Sequence, residues 1–260
     1  VAAENSTSLA YTTTTALALN GGTILDAVSN AADLTLASPG AVNSISDNQA
    51  IIIDTILPTV SGVTVSNSDG DYGLTSVITV RVEFSEVVNV NTGGGTPTIA
   101  LDSTGVATYA TGTGTTTLDF TYTVAGVEAS ADLDYFATTS LVLNSGVIDD
   151  VATNIATLTL AAPAAAGSIS DNQAIVIDTT ASTVVEVTST SADLIYGAGT
   201  IIPIEIQFDE PVVVDIAGGT PSLDLNATGG SNATHASGSG TNVLTFNYTI
   251  LAGHTTGRSE

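Results

Sequence analysis

Apolar residues recur at every second position over short stretches of the chain. Ile78, Val80, Val82 and Phe84 share one face while Thr79, Arg81 and Glu83 share the other, the period of a strand with one side buried. Leu118, Phe120, Tyr122 and Val124 form a second such face. Both have near copies further on, at Ile202, Ile204, Ile206 and Phe208, and at Leu244, Phe246, Tyr248 and Ile250. Pro203 and Pro211 lack the N–H that a ladder uses, which predicts an edge position or a bulge for that copy. Gly, Asn, Asp and Ser separate these runs about every eight to twelve residues, and Val, Ile and Thr fill them. The pattern predicts an all-β protein of β-sandwich domains with about seven to nine strands each.

The copies belong to a long internal repeat. Residues 17–55 align without a gap on residues 141–179, with 25 identities in 39 positions at an offset of 124. The same offset carries Phe84-Ser85-Glu86 onto Phe208-Asp209-Glu210 and Gly94-Gly95-Thr96-Pro97 onto Gly218-Gly219-Thr220-Pro221. After a two-residue insertion, Gly112-Thr113-Gly114-Thr115 matches Gly238-Ser239-Gly240-Thr241. A period of about 124 residues is too long for a solenoid coil, so each repeat is domain-sized. Residues 54–60 and 178–184 read as linkers, the first with Pro58 in an extended segment. On that phase, residues 1–57 are the C-terminal half of a domain, residues 58–180 a complete one, and residues 181–260 the N-terminal part of a further one. Neither end piece is a whole sandwich, and three explanations are open. The chain is a window on a longer tandem array; or its ends pack as non-standard halves; or residues 1–57 of a neighbouring subunit complete residues 181–260, a strand donation that grows a head-to-tail filament of copies of the chain.

Composition narrows the functions available. Two basic residues, Arg81 and Arg258, stand against 26 acidic ones, a net charge of −24 that argues against nucleic acid as a partner. Lys is absent, which excludes Schiff-base chemistry and lysine isopeptide cross-links, and Cys is absent, which excludes disulfides and thiol chemistry. Only 11% of residues are charged and 43% are hydrophobic, enough to build a core. No apolar run approaches the ~18 residues of a membrane helix, and 12 aromatics do not furnish the girdles of a membrane barrel. The start Val1-Ala2-Ala3-Glu4 has neither the basic nor the apolar region of an export signal.

The ordered set Phe84-Ser85-Glu86-Val87, Gly94-Gly95-Thr96-Pro97 through Leu101, Leu118 to Val124, Asp132-Leu133-Asp134-Tyr135, Leu141-Val142-Leu143-Asn144 through Asp150 and Asn154, and Asp178-Thr179 resembles the tandem immunoglobulin-like and cadherin-like repeats of very large bacterial surface adhesins. The resemblance covers essentially the whole chain. It implies an exported, non-enzymatic stalk or fibre protein at the cell surface, often rigidified by Ca²⁺, with adhesion or spacing as its task. The first period departs from the pattern, with Ser8-Leu9-Ala10-Tyr11 where the second has Asp132-Leu133-Asp134-Tyr135, and a metal site there would lose two carboxylates.

Calcium is the one chemistry the side chains support by themselves, since it takes about six to eight hard oxygens from carboxylates, amide carbonyls and strand ends. The candidate ligands are Glu86, Asp132, Asp134 and Asp178 about the ends of the complete domain and Asp150 with Asn154 in a turn, with Asp54 and Glu210 as repeat-related partners. The plain alternative is that Asp and Asn occupy turns and cap backbone donors. Asn67-Ser68-Asp69-Gly70-Asp71 has Tyr72 where a calcium loop needs Gly, and reads as a turn. Catalysis has little to work with: His235 and His254 lack a nucleophile context, residues 58–180 contain no His, and Gly93-Gly94-Gly95 lacks the Lys and helix of a phosphate loop. N-glycosylation sequons stand at Asn5, Asn226, Asn232 and Asn247, the last on the face opposite Phe246 and Tyr248. The leading expectation is an extracellular filament or adhesin-stalk subunit assembled by strand donation. The others are a calcium-stiffened window of a giant adhesin, a lattice protein, and a module binding glycans or other cell surfaces. That module would need an aromatic cluster, which Tyr11, Tyr72, Tyr109 and Tyr196 do not supply by spacing.

Overall fold

A computed structural model describes residues 7–229 and 232–256. In chain order its elements are α1 (Ile45–Asn48), β1 (Val60–Val65), β2 (Gly70–Tyr72), β3 (Val77–Asn91), β4 (Thr98–Ala100), β5 (Val106–Thr111), β6 (Thr115–Thr123), β7 (Ala129–Ser130), β8 (Leu141–Val142), β9 (Val147–Asp149), α2 (Ile169–Asn172) and β10 (Ile175–Asp178). β11 (Val184–Ser189), β12 (Ile201–Val212), β13 (Ser222–Asp224), β14 (Asn232–Ser237) and β15 (Thr241–Thr249) follow. Among the described residues the protein is all-β apart from two single-turn helices. The chain divides into two compact units between Thr179 and Thr180. Residues 7–57 belong with residues 58–179 in the first.

In the first unit the strands run β1-β3-β6-β5-β4-β8 across one sheet, with β9 paired to β3, and β2-β10-β7 form a small second sheet. Residues 58–179 thus hold ten strands rather than seven to nine, because five of them are only two or three residues long. β3 carries the architecture. Its first half pairs with β1 and β6, its register breaks between Glu83 and Val88, and its last residues, Asn89–Asn91, pair with β9 instead. The predicted inward face is the buried face: Ile78, Val80, Val82, Phe84, Leu118, Phe120, Tyr122 and Val124 form one core with Leu133, Tyr135, Ile148, Ile169, Ile175 and Ile177. At Gly94 and Gly95, where a turn or bulge is expected, a Cβ would overlap the backbone carbonyls of Ser145 and Asn144, so only glycine lets the β3–β4 connection pass.

The second unit repeats the sheet. β11-β12-β15-β14-β13 has the order of β1-β3-β6-β5-β4, and Val184 faces Phe208 as Val60 faces Phe84, with a register break at the same place. Of the edge position or bulge predicted from Pro203 and Pro211, β12 has the bulge and not the edge, since it lies between β11 and β15 and its register breaks after Gln207. Pro203 is tolerated there because its carbonyl takes the Ser189 hydroxyl on the β11 side, just past the last paired residue, where no ladder N–H is required. Pro211 falls in the register break between Gln207 and Val212.

Residues 7–57 reproduce the local structure of residues 131–179 turn by turn. Ser44 caps α1 by accepting from the Asp47 N–H, as Ser168 caps α2 from Asp171. The Tyr11 hydroxyl donates to the Ala37 carbonyl and the Tyr135 hydroxyl to that of Ala161. The Leu9 N–H reaches the Ile51 carbonyl as Leu133 reaches Ile175.

Candidate functional site

The register break in β3 turns Glu86 out of the regular ladder, and bulges of this kind re-aim side chains. β9 lies against the end of the same strand, which brings Asp150, the residue after it, alongside. Asp54 arrives from the other direction, at the end of the segment that precedes β1. The carboxylates of Asp54, Glu86 and Asp150 lie within 4.8 Å of one another, with Asp150 buried and the other two half-buried.

Asn154 organises the cluster. Its backbone N–H and its side-chain amide donate to the two Asp150 oxygens at 2.8 and 2.7 Å, and the same amide donates to the Asp54 carbonyl at 3.1 Å. One turn therefore fixes a carboxylate and tethers the incoming segment. Asp26 and Asn30 make the same turn, but exposed. Burial pushes the Glu86 carboxyl above its ordinary range, and the negative charges of Asp54 and Asp150 push it further. A divalent cation held by the three carboxylates would remove that repulsion. The donor set is all hard oxygen and suits Ca²⁺, with backbone carbonyls and water needed beyond the three carboxylates. Asp54 and Glu86 also line an open cleft with Ile52, Ile53, Ile56 and Ser85.

The other predicted ligands lie elsewhere. Asp134 is buried, and protein donors occupy its carboxylate: the N–H groups of Tyr135, Ala164 and Ile169 and the Ser170 hydroxyl. It works as a clamp joining the loop after β7 to the segment that leads into α2. Asp132 is exposed. Asp178 ends β10 in the first unit and Glu210 lies on β12 in the second. Pattern reasoning missed Asp102, which takes the Ser130 hydroxyl and the Asp134 N–H, and Gln173, which accepts from the Val65 N–H and donates to the Asn67 carbonyl. Gln173 had a signal, its identity with Gln49 in the repeat. The expected turn at residues 67–71 forms, with Asn67 holding Val77 and Thr79 and Gly70 opening β2.

Asn226 and Asn232 are exposed, Asn247 is half-exposed in the middle of the sheet, and Asn5 lies outside the described residues. The hydroxyls of Tyr72 and Tyr196 donate to the carbonyls of Ser68 and Ala192, that of Tyr11 donates to the Ala37 carbonyl, and Tyr109 packs edge-on against Phe120. Among the described residues no helix is long and apolar enough to cross a membrane. No family model matches the chain, and no curated protein matches it either.

Proposed function

We propose that the chain is a non-enzymatic structural segment of an exported, cell-surface fibre or stalk, built from immunoglobulin-like β-sandwich modules with a period of about 124 residues. The observation that carries this reading is the recurrence of one module: β11 to β15 in the order and register of β1, β3, β6, β5 and β4, and residues 7–57 in the local fold of residues 131–179. Repetition of a β module builds length. The 26 acidic residues keep crowded fibres apart, and a chain without Cys relies on packing and ions for stability. Calcium enters where one module meets the next. Asp54 closes the segment before β1 while Glu86 and Asp150 belong to the module that follows, so an ion held by all three stiffens the join. Half modules are completed by neighbouring subunits, and glycans attach at the sequons of the second unit.

Immunogold labelling of intact cells that express the chain tests the reading. Label on surface fibres, shortened or limp after EDTA, is the expected result. Label found only after lysis overturns it.

A further inference from the structure

In the second unit the face of β12 is less covered than its counterpart in the first. Ile202, Ile204, Ile206 and Phe208 are half-exposed, whereas their counterparts Ile78, Val80, Val82 and Phe84 are buried. What covers those counterparts is the stretch from β7 to β10, through Leu133, Tyr135, Ile148, Ile169, Ile175 and Ile177. The strand β2 has no counterpart strand in the second unit: Leu194, Ile195 and Tyr196 stand at those positions without partners in a ladder. In the first unit β2 exists by pairing in parallel with β10. Leu194 and Ile195 are also exposed and apolar where the first unit has Gly70 and Asp71.

The chain carries a second copy of the cover. Residues 17–55 match residues 141–179 at 25 of 39 positions and hold the same turns, yet their apolar side chains face water. Ile24 is 46% exposed and Ile45 39%, where Ile148 and Ile169 are at 0%. Leu244, Phe246 and Tyr248 of β15 are buried within the second unit, so its opening lies along β12. One molecule therefore presents two complementary faces, a sheet half-open along β12 and a cover without its sheet.

We infer that residues 7–57 of one copy close the β11-β12-β15-β14-β13 sheet of a second copy, in the register by which residues 131–179 close the first unit. This rests on the reading of the chain as a fibre-forming repeat and names the partner surface within it. The register is explicit. Ile99 faces Leu141 in the β4–β8 pair, so Leu17 of one copy faces Leu223 of the next. Val90 faces Ile148, so Ile24 faces Val214; Asp71 faces Val176, so Ile52 faces Ile195. The last pair sets two of the exposed isoleucines side by side.

The absence of native cysteine makes the test clean. Full-length Leu17→Cys and Leu223→Cys variants are mixed and oxidised, with an Ile99→Cys, Leu141→Cys double variant as the internal positive control for geometry. The expected result is a disulfide-linked heterodimer from the mixture and a ladder of oligomers from the Leu17→Cys, Leu223→Cys double variant. The idea is overturned if that double variant closes only within one chain, or gives no link while the control closes. Should a variant fail to fold, light scattering on the unmodified chain decides: mass that rises with concentration supports the docking, and a monomer throughout overturns it. Linked oligomers together with an absence of surface label would sink the fibre reading and leave the docking standing.

Discussion

Ile24 and Ile148 are the same residue in nearly the same sequence, inside the same arrangement of turns, and one is open to water while the other is sealed. The difference separates two kinds of information. Turn and cap chemistry is local: Ser44 or Ser168 at the helix start and Asp26–Asn30 or Asp150–Asn154 in the loop produce the same backbone whether or not a sheet lies beneath. Burial is not local. It requires β3 and β6, which residues 58–179 contain and which residues 7–57 lack, and β12 shows the matching deficit from the other side.

The sharpest break of the comparison is a core truncation made in both units. Ile78→Ala removes methyl groups from a closed core and should cost about 2–5 kcal/mol in urea unfolding of the first unit, whereas Ile202→Ala in the half-open sheet should cost less than about half of that. Under conditions where copies are linked the two costs should converge, and equal costs in the unlinked protein would mean the second unit is already closed. Next in size, Asp134→Ala strands several buried donors and should destabilise the first unit by about 2–4 kcal/mol; the position is Ala10 in residues 7–57, so the reverse change, Ala10→Asp, should have a far smaller effect.

Asn154→Ala against Asn30→Ala compares one turn in two settings. The first should cost about 1–2 kcal/mol and weaken calcium binding, the second less than about 0.5 kcal/mol. Glu86→Gln sharpens the metal question. Because the folded protein holds the Glu86 carboxyl above its ordinary value, the protonated form favours folding, and stability from this group is present at low pH and falls as pH rises through its raised range. Without divalent ions the variant should be at least as stable as the parent at neutral pH and lose that pH dependence. With excess Ca²⁺ the parent alone should gain melting temperature, and an equal gain in both would remove Glu86 from the site. The smallest effect belongs to Arg81→Gln, which breaks the ion pair with Asp119; this pair is partly exposed and should be worth about 0.2–1 kcal/mol, and its counterpart positions, Glu205 and Thr245, form none.

The alternation along residues 78–84 and 118–124 is enough to assign the buried face, because a strand with one wet side has a period of two and a helix does not. Asp54, Glu86, Asp150 and Asn154 were each recognisable as oxygen donors. Their meeting was not, since it depends on the break in β3 and on the pairing of β9, and neither leaves a pattern in the residues themselves. Asp132 and Asp134 show the converse. They alternate in the sequence, yet the backbone exposes one and gives the other to N–H donors at Ala164, before α2, and at Ile169, its first residue. Of the edge position or bulge that Pro203 and Pro211 predict, the structure has the bulge, and which of the two forms depends on where β11 stops.

The four-residue helix α1 and its serine cap have a consequence for kinetics. A cover that already holds its turns before meeting the sheet loses little chain entropy on docking, unlike an extended peptide that must be ordered strand by strand. Its association should behave as the collision of two rigid bodies, fast and reversible by dilution, and its interruption should follow from a substitution as modest as Ser44→Ala, which frays the cover without touching the surface it presents.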